Sequence, residues 1–349
     1  MPGRAPGVAP GLVPEMVPGM VLKPVPSAAW PAAATPQALP CVSCIIAHMG
    51  AHFQTAAVFA KIRGESNRSA LFEALDAIIA IMEAAGVRSM LHDGTRDGLG
   101  LLSRTGYSLA DIGREADVAV VLGGDGTMLS IARDLAAFDV PLIGINFGRL
   151  GFITDIALGQ MPEVLGEMLA GRFETDRRTL LEGEVIHSGK IAMHTHALND
   201  VVISHGVTGG LVEFTVRVDG MNMYNQRADG VILATPTGST AYALSANGPI
   251  LHPSLAGLVL VPVAPHTLSN RPIALPDSVE IEIELTEVRD GAAYFDMQSF
   301  SKLAPGDIVR VRRSPHFATL LHPAGYNYFA TLRQKLHWNV MSSDPHGRA

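Results

Sequence analysis

The sequence predicts an α/β N-terminal domain on a parallel, doubly wound sheet, followed by an all-β, sandwich-like C-terminal domain. Three observations predict it. From residue 55 to about 155, short apolar runs alternate with segments of helical spacing, the order that βαβ crossovers require. Beyond Asp155 the runs become rich in β-branched residues and alternate with a period of two. The dipeptides Asp219-Gly220, Asp290-Gly291 and Pro305-Gly306 punctuate those later runs as turns.

A length of 349 residues suits two domains, and 48% apolar with 17% charged residues supplies ordinary cores. The formal net charge of -7 gives no general affinity for nucleic acid. The longest apolar stretches, such as Leu255 to Pro265, are too short to span a bilayer and contain proline. A soluble, cytoplasmic protein with no membrane and no nucleic-acid partner is expected. The two cysteines, Cys41 and Cys44, stand C-x-x-C within a proline-rich stretch, with no second pair for a zinc site, and read as incidental thiols.

Residues 1–54 are expected to form a disordered Pro/Ala/Gly-rich extension, and a start assigned too far upstream would look the same. Ten prolines between positions 2 and 40 break any helix and interrupt a signal-peptide core. The first buried strand is expected from Thr55 to Ile62. Leu71, Leu75, Ile78, Ile79 and Met82 give Ser69 to Ala85 a helical face, closed by Gly86. A second strand follows at Val87 to His92, and a short helix at Leu109 to Ala116. The run Val118 to Leu122 enters Gly123-Gly124-Asp125-Gly126-Thr127, after which Met128, Leu129, Ile131, Ala132 and Leu135 suit one face of a helix. Pro141 to Ile145 is the next strand, and Met161 to Ala170 a helix. In the second domain, spanning 156–320, strands are expected at Leu181–His187, Val212–Val218, Val279–Leu285 and Asp307–Val311. The last segment, 321–349, is expected to return to the first domain, 55–155.

Strand, glycine turn, acid and helix bring backbone N–H groups up to a phosphate. A bare aspartate repels phosphate, so Asp125 reads as binding a sugar hydroxyl, a metal or a proton. Asn199-Asp200 stands at the head of Val201-Val202-Ile203, where two polar groups can read a ribose or a base edge. The block Arg227 to Tyr242, continuing to Pro249, carries the small and hydroxylic residues Thr235 to Thr240, which let a ligand approach the backbone.

Together these blocks resemble the NAD kinase family. The matching stretches are GGDGTML at 123–129, PLIGINFGRLGFITD at 141–155, LNDVVI at 198–203, RADGVILATPTGSTAYALSANGPI at 227–250 and VPVAPHTLSNRPI at 261–273. Asp296-Met297-Gln298 and the stretch from His322-Pro323 to Trp338 also fit. The resemblance covers roughly residues 55 to 338 and implies the NAD kinase/diacylglycerol kinase-like fold. It also implies transfer of the γ-phosphoryl group of ATP to the adenosine-ribose 2′-hydroxyl of NAD, giving NADP. It assigns Asp125 as the catalytic acid/base. It carries NAD contacts over to Asp125, Gly126, Asn199, Asp200, Arg227, Asp229, Thr240, Ala241, Tyr242, Ala243, Leu244, Ser245 and Gln298. The glycine turn itself, Gly123, Gly124, Gly126 and Thr127, is expected to form the phosphate loop. The resemblance also implies a homo-oligomer, dimer or tetramer, with the β domain in its interface.

Three positions depart from the family pattern. Gly210 stands where a basic residue is common, Ala60-Lys61 replaces a Gly-Lys strand ending, and Asp200 replaces a Glu and shortens the carboxylate's reach. Phosphoryl transfer needs positioning and charge neutralisation more than covalent chemistry. Asp125 is expected to orient the hydroxyl and accept its proton as the P–O bond forms. A divalent cation, Mg²⁺ carried with ATP, is expected to offset charge without a dedicated protein ligand cluster. His194 and His196 share a strand face and read as structural, Phe147 reads as packing, and His266 and Phe152 are candidates near the site. A lipid or sphingoid-base kinase would share the glycine turn, and an NAD(P)-binding regulator without turnover would share the binding blocks. An NAD-dependent oxidoreductase ranks last because no G-x-G-x-x-G follows a strand.

Overall fold

The computed structural model describes residues 52–61, 68–148, 151–206, 210–267 and 269–338. Cys41, Cys44 and the proline-rich stretch lie outside the described residues. The described chain begins with β1 (Thr55–Ala60), α1 (Arg68–Ala84), β2 (Arg88–His92) and α2 (Asp93–Leu99). It continues through β3 (Gly106–Tyr107), α3 (Leu109–Glu115), β4 (Val118–Gly123), α4 (Asp125–Leu135), β5 (Leu142–Asn146) and β6 (Ile156–Ala157). β1 to β6 pair with one another in parallel, in the order β6-β5-β4-β1-β2-β3.

The parallel sheet is buried on both faces, as crossover helices require. Alternation along β1 and β4 sends Ala56, Val58, Val118, Val120 and Leu122 to one face and Ala57, Phe59, Ala119 and Val121 to the other. The first face packs on Leu71, Leu75, Ile78 and Met82 of α1 and on Met161, Leu165 and Met168 of α5 (Met161–Leu169). The second face is covered by Met128, Leu129, Ala132 and Leu135 of α4 and by Ile112 of α3. Gly86 closes α1 with φ +74°, the left-handed conformation a glycine end supplies.

β7 (Phe173–His187), β8 (Lys190–Ala197), β10 (Val212–Val218), β11 (Met221–Ala228), β15 (Ile281–Glu287) and β18 (Ile308–Pro323) form an antiparallel wing. A second, antiparallel sheet runs in the order β14 (Ile273–Pro276), β13 (Gly257–Val263), β12 (Gly230–Ala234), β9 (Asp200–His205), β16 (Gly291–Phe295), β17 (Ser299–Leu303). Wing and second sheet enclose one apolar core. Phe214, Val216, Ile283, Val309 and Val311 face Val201, Ile203, Val231, Leu233, Leu260 and Phe295 across it, the sandwich arrangement.

The expected strands are present, but two run much longer than the sequence suggests. β7 has 15 residues and β18 has 16. β18 pairs with β15 at Ile281↔Val311, then continues past a register shift between Arg313 and Phe317 and pairs in parallel with β5 at Leu320↔Leu142. The wing and the parallel sheet are therefore one twelve-stranded sheet. Pro315 cannot donate to a ladder, so the bulge at Ser314-Pro315-His316 breaks the alternation that would reveal a single strand. α2 went unseen because Asp-Gly-Thr-Arg-Asp-Gly-Leu holds two glycines, which are poor helix formers. The chain closes with α7 (Tyr328–Leu336), capped by the Asn327 side chain, which accepts the Ala330 N–H at 3.1 Å.

Candidate active site

β4 ends at Gly123, Gly124 is the N-cap, and Asp125 is the first residue of α4. A helix start leaves its first N–H groups without intrahelical partners and favours negative charge. The Asp125 carboxylate is held from one loop. Its Oδ2 accepts the Phe152 N–H at 2.7 Å, and its Oδ1 accepts the Ile153 N–H at 3.3 Å and the Thr154 hydroxyl at 2.9 Å. Thr154 is in turn gripped by Asn146, at the end of β5, whose Nδ2 donates to its Oγ1 at 2.9 Å. Gly151 makes this possible, since a Cβ there would stand 1.8 Å from Asp125 Oδ1.

Across from Asp125, β12 runs into Thr235-Pro236-Thr237 and a 3₁₀ turn at Gly238–Thr240, then α6 (Tyr242–Ser245). This turn is built on its own hydroxyls. Thr235 Oγ1 donates to the Leu198 carbonyl at 2.5 Å and accepts the Gly238 N–H at 3.1 Å, while Ser239 Oγ donates to the Pro236 carbonyl at 2.6 Å and accepts the Leu251 N–H at 2.9 Å. Gly238 lies so close to Asn199 that a Cβ would meet its carbonyl oxygen at 2.0 Å. Asp125, Phe152, Ile153, Asn199, Thr237, Thr240 and Ala241 together line a cavity of about 270 Å³. On the other flank of α4, Lys61, His92, Thr95, Thr127 and Ser130 line a second cavity of about 210 Å³.

Asn199 is set by a side chain that sequence reasoning did not single out. Asp296, in the turn between β16 and β17, accepts the N–H groups of Leu198, Asn199 and Asp200 at 2.9, 2.7 and 3.2 Å. Its pKa is raised by burial, an effect opposed by these N–H donors and by Arg133 of α4 at 3.5 Å. Asp200, only 3% exposed, is pushed up to about 7 by burial and by the charge of Asp296. Gln298 binds the two halves together, donating to the Gly126 carbonyl at 2.6 Å and accepting from Arg133 Nη2 at 2.8 Å. Lys335 of α7 feels Asp125: burial lowers its pKa and that carboxylate works against the lowering.

The structure brings Asp125, Asn199, Thr240 and Ala241 to one cavity, with Gln298 against Gly126. Tyr242 and Ser245 are exposed beside it, Leu244 is half-buried, and Ala243 is fully buried, so only its backbone can meet a ligand. Arg227 and Asp229 are not among the lining residues. Arg227 is ion-paired with Glu213 at 3.3 Å, and Asp229 precedes β12, at the opposite end from Thr235. Phe152 lines the cavity, while His266 is exposed, its N–H donating to the Arg227 carbonyl at 3.0 Å. His194 and His196 share a face of β8, with ring centroids 5.8 Å apart, and His194 pairs with Glu182. Phe147 packs on the core. Asp296, Arg133, Thr154 and Lys335 were missed individually, although all but Arg133 lie within stretches that carry the family resemblance.

Known proteins resemble this chain over most of its length. Residues 69–173 match a family model described as the ATP-NAD kinase N-terminal domain, and residues 198–322 one described as the ATP-NAD kinase C-terminal domain. An NAD kinase of Burkholderia thailandensis is 52% identical over 296 residues, covering 85% of this chain and 98% of the relative. An NAD kinase of Burkholderia pseudomallei is 52% identical over 291 residues, covering 83% and 96%. Among solved structures, a yeast NADH kinase complexed with NADH superposes with a TM-score of 0.74 at 25% identity, covering 82% of this chain and 88% of that one. An NAD kinase from Archaeoglobus fulgidus in complex with ATP superposes with a TM-score of 0.61 at 24% identity, covering 81% and 99%, a likeness of fold. With both domain models matched and half of all aligned residues shared with such relatives, the chain belongs to the ATP-NAD kinase family of phosphotransferases.

Proposed function

We propose that the protein transfers the γ-phosphoryl group of ATP to the 2′-hydroxyl of the adenosine ribose of NAD, with Asp125 as the acid/base. The observation that carries this reading is the cavity shared by Asp125, Asn199, Thr240 and Ala241. A ribose seated there meets a carboxylate on one side and hydrogen-bonding groups on the other. Asp125 orients the hydroxyl and takes its proton as the new P–O bond forms. The donors from Phe152, Ile153 and Thr154 keep the carboxylate aimed while it waits. Asn199 and the Thr235–Thr240 turn hold the dinucleotide, and Gln298 sets the height of the Gly126 carbonyl beneath it.

The donor triphosphate is proposed to approach Gly123, Gly124, Gly126 and Thr127, with the Lys61 side of α4 giving it room and positive charge. Lys335, which feels the Asp125 charge, adds a second cation near the transferring group. A divalent cation carried on the triphosphate supplies charge neutralisation as part of the substrate. Among the described residues no group of three or more His, Cys, Asp or Glu side chains is placed to hold a metal, and a cation bound chiefly through phosphate and water suits such a site.

Arg227 and Asp229 are also proposed NAD contacts. They lie a five-residue strand away from the Thr235 turn, roughly 17 Å at 3.3–3.4 Å per residue. A homo-oligomer joined through the sandwich would offer them a nucleotide, and the exposed Ile191, Met221 and Phe300 give that region apolar surface. Among the described residues no helix is long and apolar enough to cross a membrane, and the cytoplasm is the proposed location.

The test is a donor-by-acceptor matrix on purified protein: ATP or polyphosphate against NAD, NADH and a lipid diol. NADP formed from ATP and NAD is the expected result. Phosphorylation of the diol instead would make the protein a lipid kinase, and nucleotide binding with no ADP release would make it a regulator.

A further inference from the structure

Beneath the cavity lies a buried cluster of ionisable side chains that proton transfer does not use. His322, 1% exposed and near the end of β18, donates through Nδ1 to Asp155 Oδ2 at 2.8 Å, and its Nε2 stands 3.5 Å from Asp176 Oδ2. Arg178, 3% exposed, donates through Nε to the same Asp176 oxygen at 2.8 Å. Its Nη1 donates to Thr237 Oγ1 at 3.2 Å. The Tyr326 ring stacks on the imidazole at 3.8 Å and 7° and shields it from water.

Each end of this cluster touches one wall of the cavity. Asp155 directly follows the Phe152-Ile153-Thr154 segment that grips the Asp125 carboxylate. Thr237 lines the cavity opposite. We propose that His322 is a positioning residue, tying the Asp125-holding loop, through Asp155, to the dinucleotide-holding turn, through Asp176 and Arg178. This rests on the phosphotransfer reading given above.

Charge balance explains why a histidine suits the place. Asp155, Asp176 and Tyr326 face it, and Arg178 faces Asp176, so two carboxylates and one guanidinium leave one positive charge to supply. Buried charges are tolerated when paired, and an imidazolium completes the set. Burial opposes the charge on His322, but Asp155 and Asp176 outweigh it and hold the pKa above the ordinary histidine value. Loss of that proton leaves a net negative charge buried between the walls, and the tie slackens.

The experiment compares wild type with His322→Gln, which keeps a donor toward Asp155 but cannot become a cation. NADP formation is followed across pH with NAD and ATP varied. The variant is expected to lose about tenfold or more in kcat with KM for NAD changed less than about threefold, since a small misplacement of reacting groups slows chemistry more than binding. The alkaline fall in wild-type kcat that follows loss of the His322 proton is expected to be absent from the variant. Wild-type kcat in the variant, or a lowered kcat with the alkaline fall intact, overturns the proposal. Should the variant not fold, the His322 imidazole is titrated in wild type by NMR through the ordinary histidine range and above it. NAD is expected to move that titration, and identical curves with and without NAD overturn the tie. Wild type that forms no NADP sinks phosphotransfer alone, and the NMR comparison still tests the tie.

Discussion

A carboxylate serves as proton acceptor only while it faces the hydroxyl, and Asp125 is aimed by three donors from one loop. Asp125→Asn is expected to lower kcat by about 10²-fold or more while leaving the fold intact, since the amide cannot take the proton. NADP production together with an unchanged circular dichroism spectrum checks both halves. Gly151→Ala tests the aim rather than the chemistry. Its methyl would stand 1.8 Å from Asp125 Oδ1, so the loop must move, and a kcat loss of roughly tenfold or more is expected from misplacement. Asp200 gives a pH signature. Its folded pKa is pushed up to about 7, so between the ordinary aspartate value and that point the native state holds a proton that the unfolded chain has released. Stability therefore falls as pH rises through that window and flattens above it. Asp200→Asn is expected to remove this slope and to raise Tm at pH 8 more than at pH 5, by thermal unfolding at both. Part of the gain would come through Asp296, whose neighbouring charge is relieved.

The β16–β17 turn holds a helix and a strand together. Asp296 and Met297 both have positive φ, 52° and 53°, and that conformation points Asp296 at the backbone of Leu198, Asn199 and Asp200 while Gln298 and Arg133 lock the turn onto α4. Asp296→Ala would strand three N–H groups and is expected to destabilise the protein by about 3 kcal/mol, measured by urea unfolding. Gln298→Ala, which leaves those N–H groups paired, is expected to stay within about 1 kcal/mol of wild type. Elements differed in how well their sequence announced them. β1, β4 and α1 follow one period without interruption. α2 carries two glycines, and β18 carries Pro315 at its bulge, so each conceals itself locally and forms because its neighbours supply partners.

Across the whole molecule β18 is the shared member. It contributes Val309 and Val311 to the sandwich core, and Ala318 and Leu320 to the parallel sheet. One continuous strand in both cores couples their stabilities, so a chain ending at residue 307 is expected to leave neither half cooperatively folded. Calorimetry is expected to show no unfolding transition in the truncated chain and a single one in the full chain.

Local pattern determined the fold class and the glycine turn that presents Asp125, and the resemblance of whole blocks to a family singled out the two other blocks that meet it. Hydrophobic period and turn chemistry are short-range properties, written within a dozen residues. Tertiary structure decided which of those residues share a cavity, that Asp296 orders Asn199, and that Asp155, Asp176, Arg178 and His322 assemble beneath both walls. Those groups come from segments up to 167 residues apart, and no local period links residues that meet only after the sheet has closed. Burial then raised the pKa of Asp200, while Asp155 and Asp176 raised that of His322 against burial, because both effects depend on what packs around a group and not on what precedes it in the chain.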